Sequence, residues 1–367
     1  MNSIQIGKPK RSKAPKRIFF FIFSLFLIVG ISIGYLLYRN VFKPNIDLHN
    51  LDYIIIYIPT GSDYADVKEI LTKEDILVNP ASFEWVAKRK GYTDNVKAGR
   101  YKITDSMNNN KLINMLRAGH QLPVQVTFNN IRKLGKLAAV VSAKLELDSA
   151  DLMKLFTNEE YIKTHFEMTK EEFPAIFLPN TYEVYWNISD TAFVERMYYE
   201  YQKFWNSERL EKAEEMELSP IKVTTIASII QEETNQADEL PIMAGVYINR
   251  INKDMLLQAC PTIRYALNDF SITRVLNRHT EINSPYNTYK NKGLPPGPIC
   301  LANPQSIDAV LNYEKHDYLF FCAKDDFSGY HVFSKTYAEH ERAAAKYKQA
   351  YVLWEREKKA KENNTIN

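Results

Sequence analysis

One carboxylate in this 367-residue chain stands where a helix should be apolar. In the segment 223–234, VTTIASIIQEET, Ile226, Ile229 and Ile230 follow the i, i+3, i+4 spacing of a buried stripe, and the i+7 position is Glu233. Its neighbour Glu232 points well away from that stripe. A carboxyl group held among isoleucines loses the hydration that favours its charged form, so its pKa is expected to rise until it can donate a proton near neutral pH. A general acid needs that property. Read from the helix alone, the competing expectation is a helix-end glutamate that snorkels to water or meets a lysine.

Polar groups that could accompany Glu233 follow it in the chain. Residues 238–241 (DELP) read as a stop and restart, and an amphipathic helix then runs through Met243, Val246, Tyr247 and Ile251. Next come 257–262 (LQACPT) and the block 286–299 (YNTYKNKGLPPGPI), too proline-rich for a helix and too long for one turn. Loops of fixed shape carrying amide, hydroxyl and phenol groups can orient a polyhydroxylated ligand; the alternative is a Pro-Gly loop that covers a core edge. The aromatic segment 177–186 (FLPNTYEVYW) is either a core strand, the commoner fate, or a groove wall on which sugar rings stack.

Other chemistries find less support. The seven histidines, including His279, His316, His331 and His340, have no paired metal-ligand spacing and read as exposed or core residues; no metal or cofactor is expected. Ser228 lacks the Gly-x-Ser-x-Gly context of an elbow nucleophile. Cys260, Cys300 and Cys322 lie far apart and read as free thiols, with one disulfide left open as an alternative.

The elements that must position these groups begin at a membrane. Residues 18–38 carry no charge and are long enough to cross about 30 Å of hydrocarbon as a helix. Six basic and no acidic residues precede them (Lys8, Lys10, Arg11, Lys13, Lys16, Arg17), whereas only Arg39 and Lys43 follow closely, so residues 1–17 are expected in the cytoplasm and the rest outside it. A cleaved signal peptide is the competing reading, but 34–39 (GYLLYR) lacks a small-x-small cleavage pattern. The net charge of +3 less the six charges of the stub leaves −3 for the remainder, which argues against nucleic acid as a partner.

After a linker, 39–51, a small α+β lobe is expected over 52–122. A strand at 53–58 is followed by a helix over 63–71, then a helix opened by Asn79-Pro80 as N-cap and N1, a strand at 98–103 and a helix around 112–117. Strand, two helices, strand is the plan of a LysM module, a fold that binds N-acetylglucosamine-containing chains, although many small α+β units share that order. A strand at 124–128 and a helix over 131–145 open a mixed α/β domain, 123–345, mostly helical from 149 to 218. A helical or solvated tail, 346–367, closes the chain. The fold class is α+β.

These strings carry a resemblance. Residues 226–234 (IASIIQEET), 246–250 (VYINR), Leu257-Gln258 with Pro261-Thr262, 286–289 (YNTY) and 293–299 (GLPPGPI) are similar in order and spacing to the MltG (YceG-like) endolytic murein transglycosylases, from about residue 54 to 337. The resemblance implies one membrane span, a LysM-like lobe and a catalytic domain. It also implies cleavage of the β-1,4 bond between N-acetylmuramic acid and N-acetylglucosamine, the muramyl 6-hydroxyl closing on C1 to leave a 1,6-anhydro end. The second acidic residue of the helix motif is catalytic in that family, which maps onto Glu233. Gln258, Asn287 and Tyr289 are then the expected groove contacts and Tyr182 a further wall, unless these residues only brace one another. Peptidoglycan glycan strands are the implied substrate, membrane peptidoglycan synthases the implied partners, and the cell's inner (cytoplasmic) membrane the implied location. Two positions depart from the family: Cys260 and Asn180 stand where many members have Asp, so neither can supply a second catalytic charge. A membrane-anchored wall-binding protein and a water-using muramidase remain as alternatives.

Overall fold

The computed structural model describes Gly7 and residues 14–365, with side chains from 18 to 358; the basic stub expected over 1–17 lies outside the described side chains. The chain divides into two compact units, 1–123 with 185–187, and 124–184 with 188–367.

The first unit opens with α1 (Ala14–Phe42), whose stretch Ile18–Phe42 is long and apolar enough to cross a membrane; its apolar run is exposed, and near its end Val41 packs on the core of this unit while the Asn40 carbonyl accepts from Asn109 at 2.8 Å. Side chains such as Phe19, Phe21 and Phe26 are more than 60% exposed, a surface that lipid would cover and water would not. The helix runs past the expected end at Tyr38, into the stretch read as a linker. That stretch is not a free tether either, because Ile46 and Leu48 are buried in the core of this unit and Ile46 bridges to Leu77.

Strand β1 (Tyr53–Ile58) pairs antiparallel with β2 (Gly99–Thr104), from Tyr53 opposite Thr104 to Ile58 opposite Gly99. Between them lie α2 (Tyr64–Lys73) and α3 (Pro80–Arg89), and α4 (Asn109–Ala118) follows. Local chemistry sets these boundaries: Asp63 caps α2 in a reciprocal box with Asp66, and the Asn79 side chain accepts from the Ser82 N–H ahead of Pro80. The alternating residues Ile56, Ile58, Tyr101 and Ile103 face inward onto Val67, Leu71, Phe83 and Leu112.

The second unit contains β3 (Val124–Phe128), α5 (Leu134–Ser142), α6 (Ser149–Phe156), α7 (Glu159–Phe166), β4 (Asn180–Val184), α8 (Asp190–Phe204) and α9 (Ser207–Glu215). It continues with α10 (Pro220–Glu233), α11 (Leu240–Asn252), α12 (Cys260–Ala266), α13 (Pro304–Leu311), the hairpin β5 (Phe320–Ala323) and β6 (His331–Ser334), and α14 (Tyr337–Thr365). Strand β3 pairs antiparallel with β4. The helix expected over 131–145 is shorter, because Lys133 stays extended as the N-cap of α5 and the helix ends at Ser142.

Helix α10 is the axis of this unit and packs on α11, α12 and α13. Val223, Ile226, Ala227, Ile229 and Ile230 are buried, and each large apolar side chain removed from water contributes about 1.5–3 kcal/mol. The buried hydroxyls of Thr224, Thr225 and Ser228 donate back to carbonyls of the same helix at 2.7–2.8 Å, so a polar sequence is tolerated in the core.

Candidate active site

Glu233 is the last residue of α10; the next, Thr234, has extended backbone and ends the helix. Its side chain lines a cleft of about 380 Å³ together with Tyr247 and Arg250 of α11, Gln258, Cys260, Tyr289 and the aromatic residues Phe320, Phe321 and Tyr337. The Tyr247 hydroxyl donates to Glu233 Oε1 at 2.9 Å, and Glu233 Oε2 has no hydrogen-bond partner among the described residues. Burial pushes the Glu233 pKa up to about 7; the Tyr247 hydrogen bond and the Arg264 charge oppose the rise, and the Glu232 charge adds to it. The carboxyl thus titrates in the range where it can both give and take a proton.

Glu232, one residue earlier, has a different environment. Arg132 Nε donates to both of its oxygens, at 2.9 and 3.0 Å. A rotation of about 100° per residue separates the two side chains and sends only the second into the cleft.

The rest of the cleft is held by short polar braces. Gln258 adopts a left-handed backbone conformation (φ 52°), its N–H donates to the Thr288 carbonyl at 3.1 Å, and its Oε1 accepts from Arg250 at 3.3 Å. A non-glycine residue in that region is strained, and here the strain aims an amide at the cleft. Buried Arg250 also donates to the carbonyls of Leu256 and Leu257, both at 3.0 Å, and of Leu319 at 2.6 Å, which ties the Gln258 turn to β5. Cys260 Sγ lies 3.2 Å from the Tyr289 hydroxyl, and burial pushes the thiol's pKa up, so this position offers a neutral group. His340 also lines the cleft; its buried Nδ1 has no hydrogen-bond partner among the described residues, and burial, aided by the Arg250 charge, holds its pKa down. The ring is therefore neutral at neutral pH.

The Pro-rich loop is fastened to α10. Ser228 Oγ accepts from the Ile299 N–H at 3.0 Å, and Gln231 accepts from the Asn303 N–H at 2.6 Å while donating to the Leu301 carbonyl at 3.3 Å. At Gly297 a Cβ would fall 1.9 Å from the Glu171 carbonyl oxygen, so glycine is required where two backbones meet.

Of the residues expected at a groove, the structure brings Glu233, Gln258 and Tyr289 together. Asn287 is elsewhere: it is wholly buried, donates to the carbonyls of Thr280 and Ile282 at 2.8 and 2.7 Å, and accepts from the Tyr289 N–H, so it shapes the loop from within. Tyr182 sits in β4 with its ring against Phe128 and its hydroxyl donating to the Leu178 carbonyl at 2.6 Å. Its alternation in the strand turns it into the core. Asn180 is exposed at the start of β4 and does not line the cleft. Tyr247, Arg250, Phe320, Phe321, Tyr337 and His340 were not singled out as site residues from the sequence. The signal for Tyr247 was available, since it is the polar-tipped member of the buried stripe of α11.

Comparisons with known proteins agree on one relationship. The model of the YceG-like family matches residues 56–346. An endolytic murein transglycosylase of Bacillus subtilis is 31% identical over 342 residues, spanning 88% of this chain and 91% of that protein. One from Streptococcus pneumoniae serotype 2 is 27% identical over 359 residues; it spans 89% of this chain, which matches 64% of the length of that relative. A solved YceG-like protein from Listeria monocytogenes superposes with a TM-score of 0.54 at 29% identity, covering 79% of this chain and 98% of the other.

Proposed function

Since this chain belongs to the YceG-like family, we propose that it is a membrane-anchored endolytic peptidoglycan transglycosylase with Glu233 as its acid and base. The observation that carries this reading is one carboxylate, poised near pH 7, at the wall of a cleft where no other carboxylate is found among the described lining residues.

Protonated Glu233 donates from Oε2 to the glycosidic oxygen as the bond to C1 of the muramyl residue breaks. The resulting carboxylate takes the proton of the muramyl 6-hydroxyl as that oxygen closes on C1, which regenerates the acid and leaves a 1,6-anhydro end. Tyr247, donating to Oε1, fixes the carboxyl's orientation and steadies its charged form between the two steps. Positioned acid–base help of this kind contributes about 10²–10⁴-fold. Gln258 and Tyr289 are the polar contacts to the sugars, and the aromatic rings of the hairpin and α14 supply flat apolar faces. An inverting hydrolase would need a second carboxylate about 6.5–9.5 Å from the first to activate water. The neutral Cys260 and Tyr289, which line the cleft with Glu233, favour the substrate's own hydroxyl as nucleophile.

The excess of Lys and Arg before the apolar helix supports a cytoplasmic N-terminus, with the catalytic unit outside the cytoplasmic membrane. The strand-helix-helix-strand unit is a LysM-like glycan-holding lobe, and synthases extending nascent strands at the membrane are the partners this placement implies. Cutting there sets where new strands end.

Mass spectrometry of uncrosslinked glycan strands incubated with the full-length protein in detergent, beside its Glu233→Gln variant, tests the reaction. Internal fragments with 1,6-anhydro-muramic ends from the wild type alone are expected. Reducing ends would make it a hydrolase, and strands bound but uncut by both proteins would make it a binding protein.

A further inference from the structure

The catalytic unit has a second cavity, of about 330 Å³, that the proposed reaction does not use. Lys133, Tyr265 and Tyr286 form its polar side, with Arg132, Lys170 and the exposed Glu171 around them. Two of its three cations already have counter-charges: Arg132 holds Glu232 at 2.9 Å, and Lys170 faces Glu159 at 3.7 Å. Lys133 does not. Its half-buried ammonium lies 3.9 Å from the centre of the Tyr265 ring and 6.0 Å from that of Phe270, with no carboxylate in ion-pair range among the described residues. Burial holds its pKa down, as expected of a cation short of a counter-ion.

The cavity and the cleft share their walls. Glu232, held by the Arg132 of one, is adjacent to Glu233 of the other; α12 gives Cys260 to the cleft and Tyr265 to the cavity; the Pro-rich loop gives Tyr289 to the cleft and Tyr286 to the cavity. Five residues of helix from Cys260 to Tyr265 rise about 7.5 Å. A peptide of four or five residues reaches roughly 13–18 Å when extended, so a chain attached to a sugar in the cleft spans that distance.

We propose that this cavity binds a carboxylate of the stem peptide carried by the muramyl residues, with Lys133 as its counter-ion. The proposal rests on the reading of the protein as a peptidoglycan transglycosylase. The Tyr265 and Tyr286 rings, 4.7 Å apart, pack the peptide's apolar part, and Glu171 on the rim disfavours a second carboxylate there. The site makes the enzyme selective for strands that still carry their stems.

Kinetics of full-length protein on stem-bearing strands and on strands stripped of stems by an amidase, for wild type, Lys133→Met and Lys133→Arg, test this. Methionine keeps the apolar stem over Tyr265 and removes the charge. The expected result is a KM about tenfold lower for stem-bearing strands in the wild type, lost in Lys133→Met with kcat retained, restored in Lys133→Arg, and absent with stripped strands. Equal KM for the two strands in the wild type, or equal losses on both in Lys133→Met, would overturn the proposal. Binding of the free stem peptide, followed by tyrosine fluorescence, separates the two readings. Lys133-dependent binding without cleavage of either strand would retain the site and reject the transglycosylase, and no binding would reject the site whatever is cleaved.

Discussion

Replacing Tyr247 by Phe removes one oxygen from the cleft and should change the pH at which the enzyme works. The hydroxyl donates to Glu233 Oε1 at 2.9 Å, an interaction stronger with the carboxylate than with the acid, and the phenylalanine ring would keep its edge-on contact with Phe321, now 6.0 Å between centres. A hydrogen bond to a charged group is worth about 1.5–3 kcal/mol, and 1.36 kcal/mol corresponds to one pH unit, so the Glu233 pKa should climb from about 7 by about one to two pH units. Leaving-group protonation requires the acid form, and kcat/KM reports the free enzyme, so the wild-type profile should fall above about pH 7. In Tyr247→Phe that alkaline limb moves up. The ratio of kcat/KM at pH 8 to that at pH 6 should rise about five- to ninefold, even as the maximum falls through the loss of carboxyl orientation. An alkaline limb that stays in place or moves down would refute Glu233 as the acid, or Tyr247 as its donor.

Two further outcomes concern stability. A folded-state pKa of about 7 for Glu233, against an ordinary 4.5, means that the folded protein binds more protons than the unfolded chain between these values. Stability therefore falls as pH rises through that window, and Glu233→Gln should exceed wild type by about 3 kcal/mol at pH 8, with the gap closing by pH 4, measured by urea unfolding. Gly297→Ala would drive a Cβ into the Glu171 carbonyl and should cost about 1–3 kcal/mol by the same assay; an unchanged midpoint would show that the loop yields freely.

Much of the architecture was legible because local chemistry fixed it. Asn79-Pro80 set the start of α3, the apolar β-branched run 53–58 set β1, and a strand at 124–128 is β3. The position of Glu233 was legible for the same reason, since helical periodicity rotates it onto the isoleucine stripe. What escaped depends on long-range packing. Tyr182 and Asn287 have types suited to sugar contacts, yet strand alternation buries the first and a web of loop carbonyls takes up the second. The stretch 39–51 has linker-like composition, but Ile46 and Leu48 find the first core. Phe320 and Phe321, in a hairpin whose strands are four residues each, and Tyr337 and His340, in α14, meet Glu233 across about 90–110 positions of sequence. Strands so short carry too little pattern to locate.

The adjacent carboxylates at the end of α10 explain why proximity in sequence is a poor guide to role. Both belong to one helical turn, and their backbones differ by a single step. Glu232 meets a guanidinium outside the cleft and is held as a structural anion; Glu233 meets a phenol inside it and has no cation in ion-pair contact among the described residues. A phenol hydroxyl stabilises the carboxylate far less than an ion pair would, so burial wins at Glu233 and the proton stays available near neutrality. Had Arg132 reached Glu233 instead, the same carboxyl would be locked in its charged form and unable to donate. The capacity for acid–base work therefore lies in which side chain each glutamate is refused, and helix rotation at the end of α10 decides that refusal.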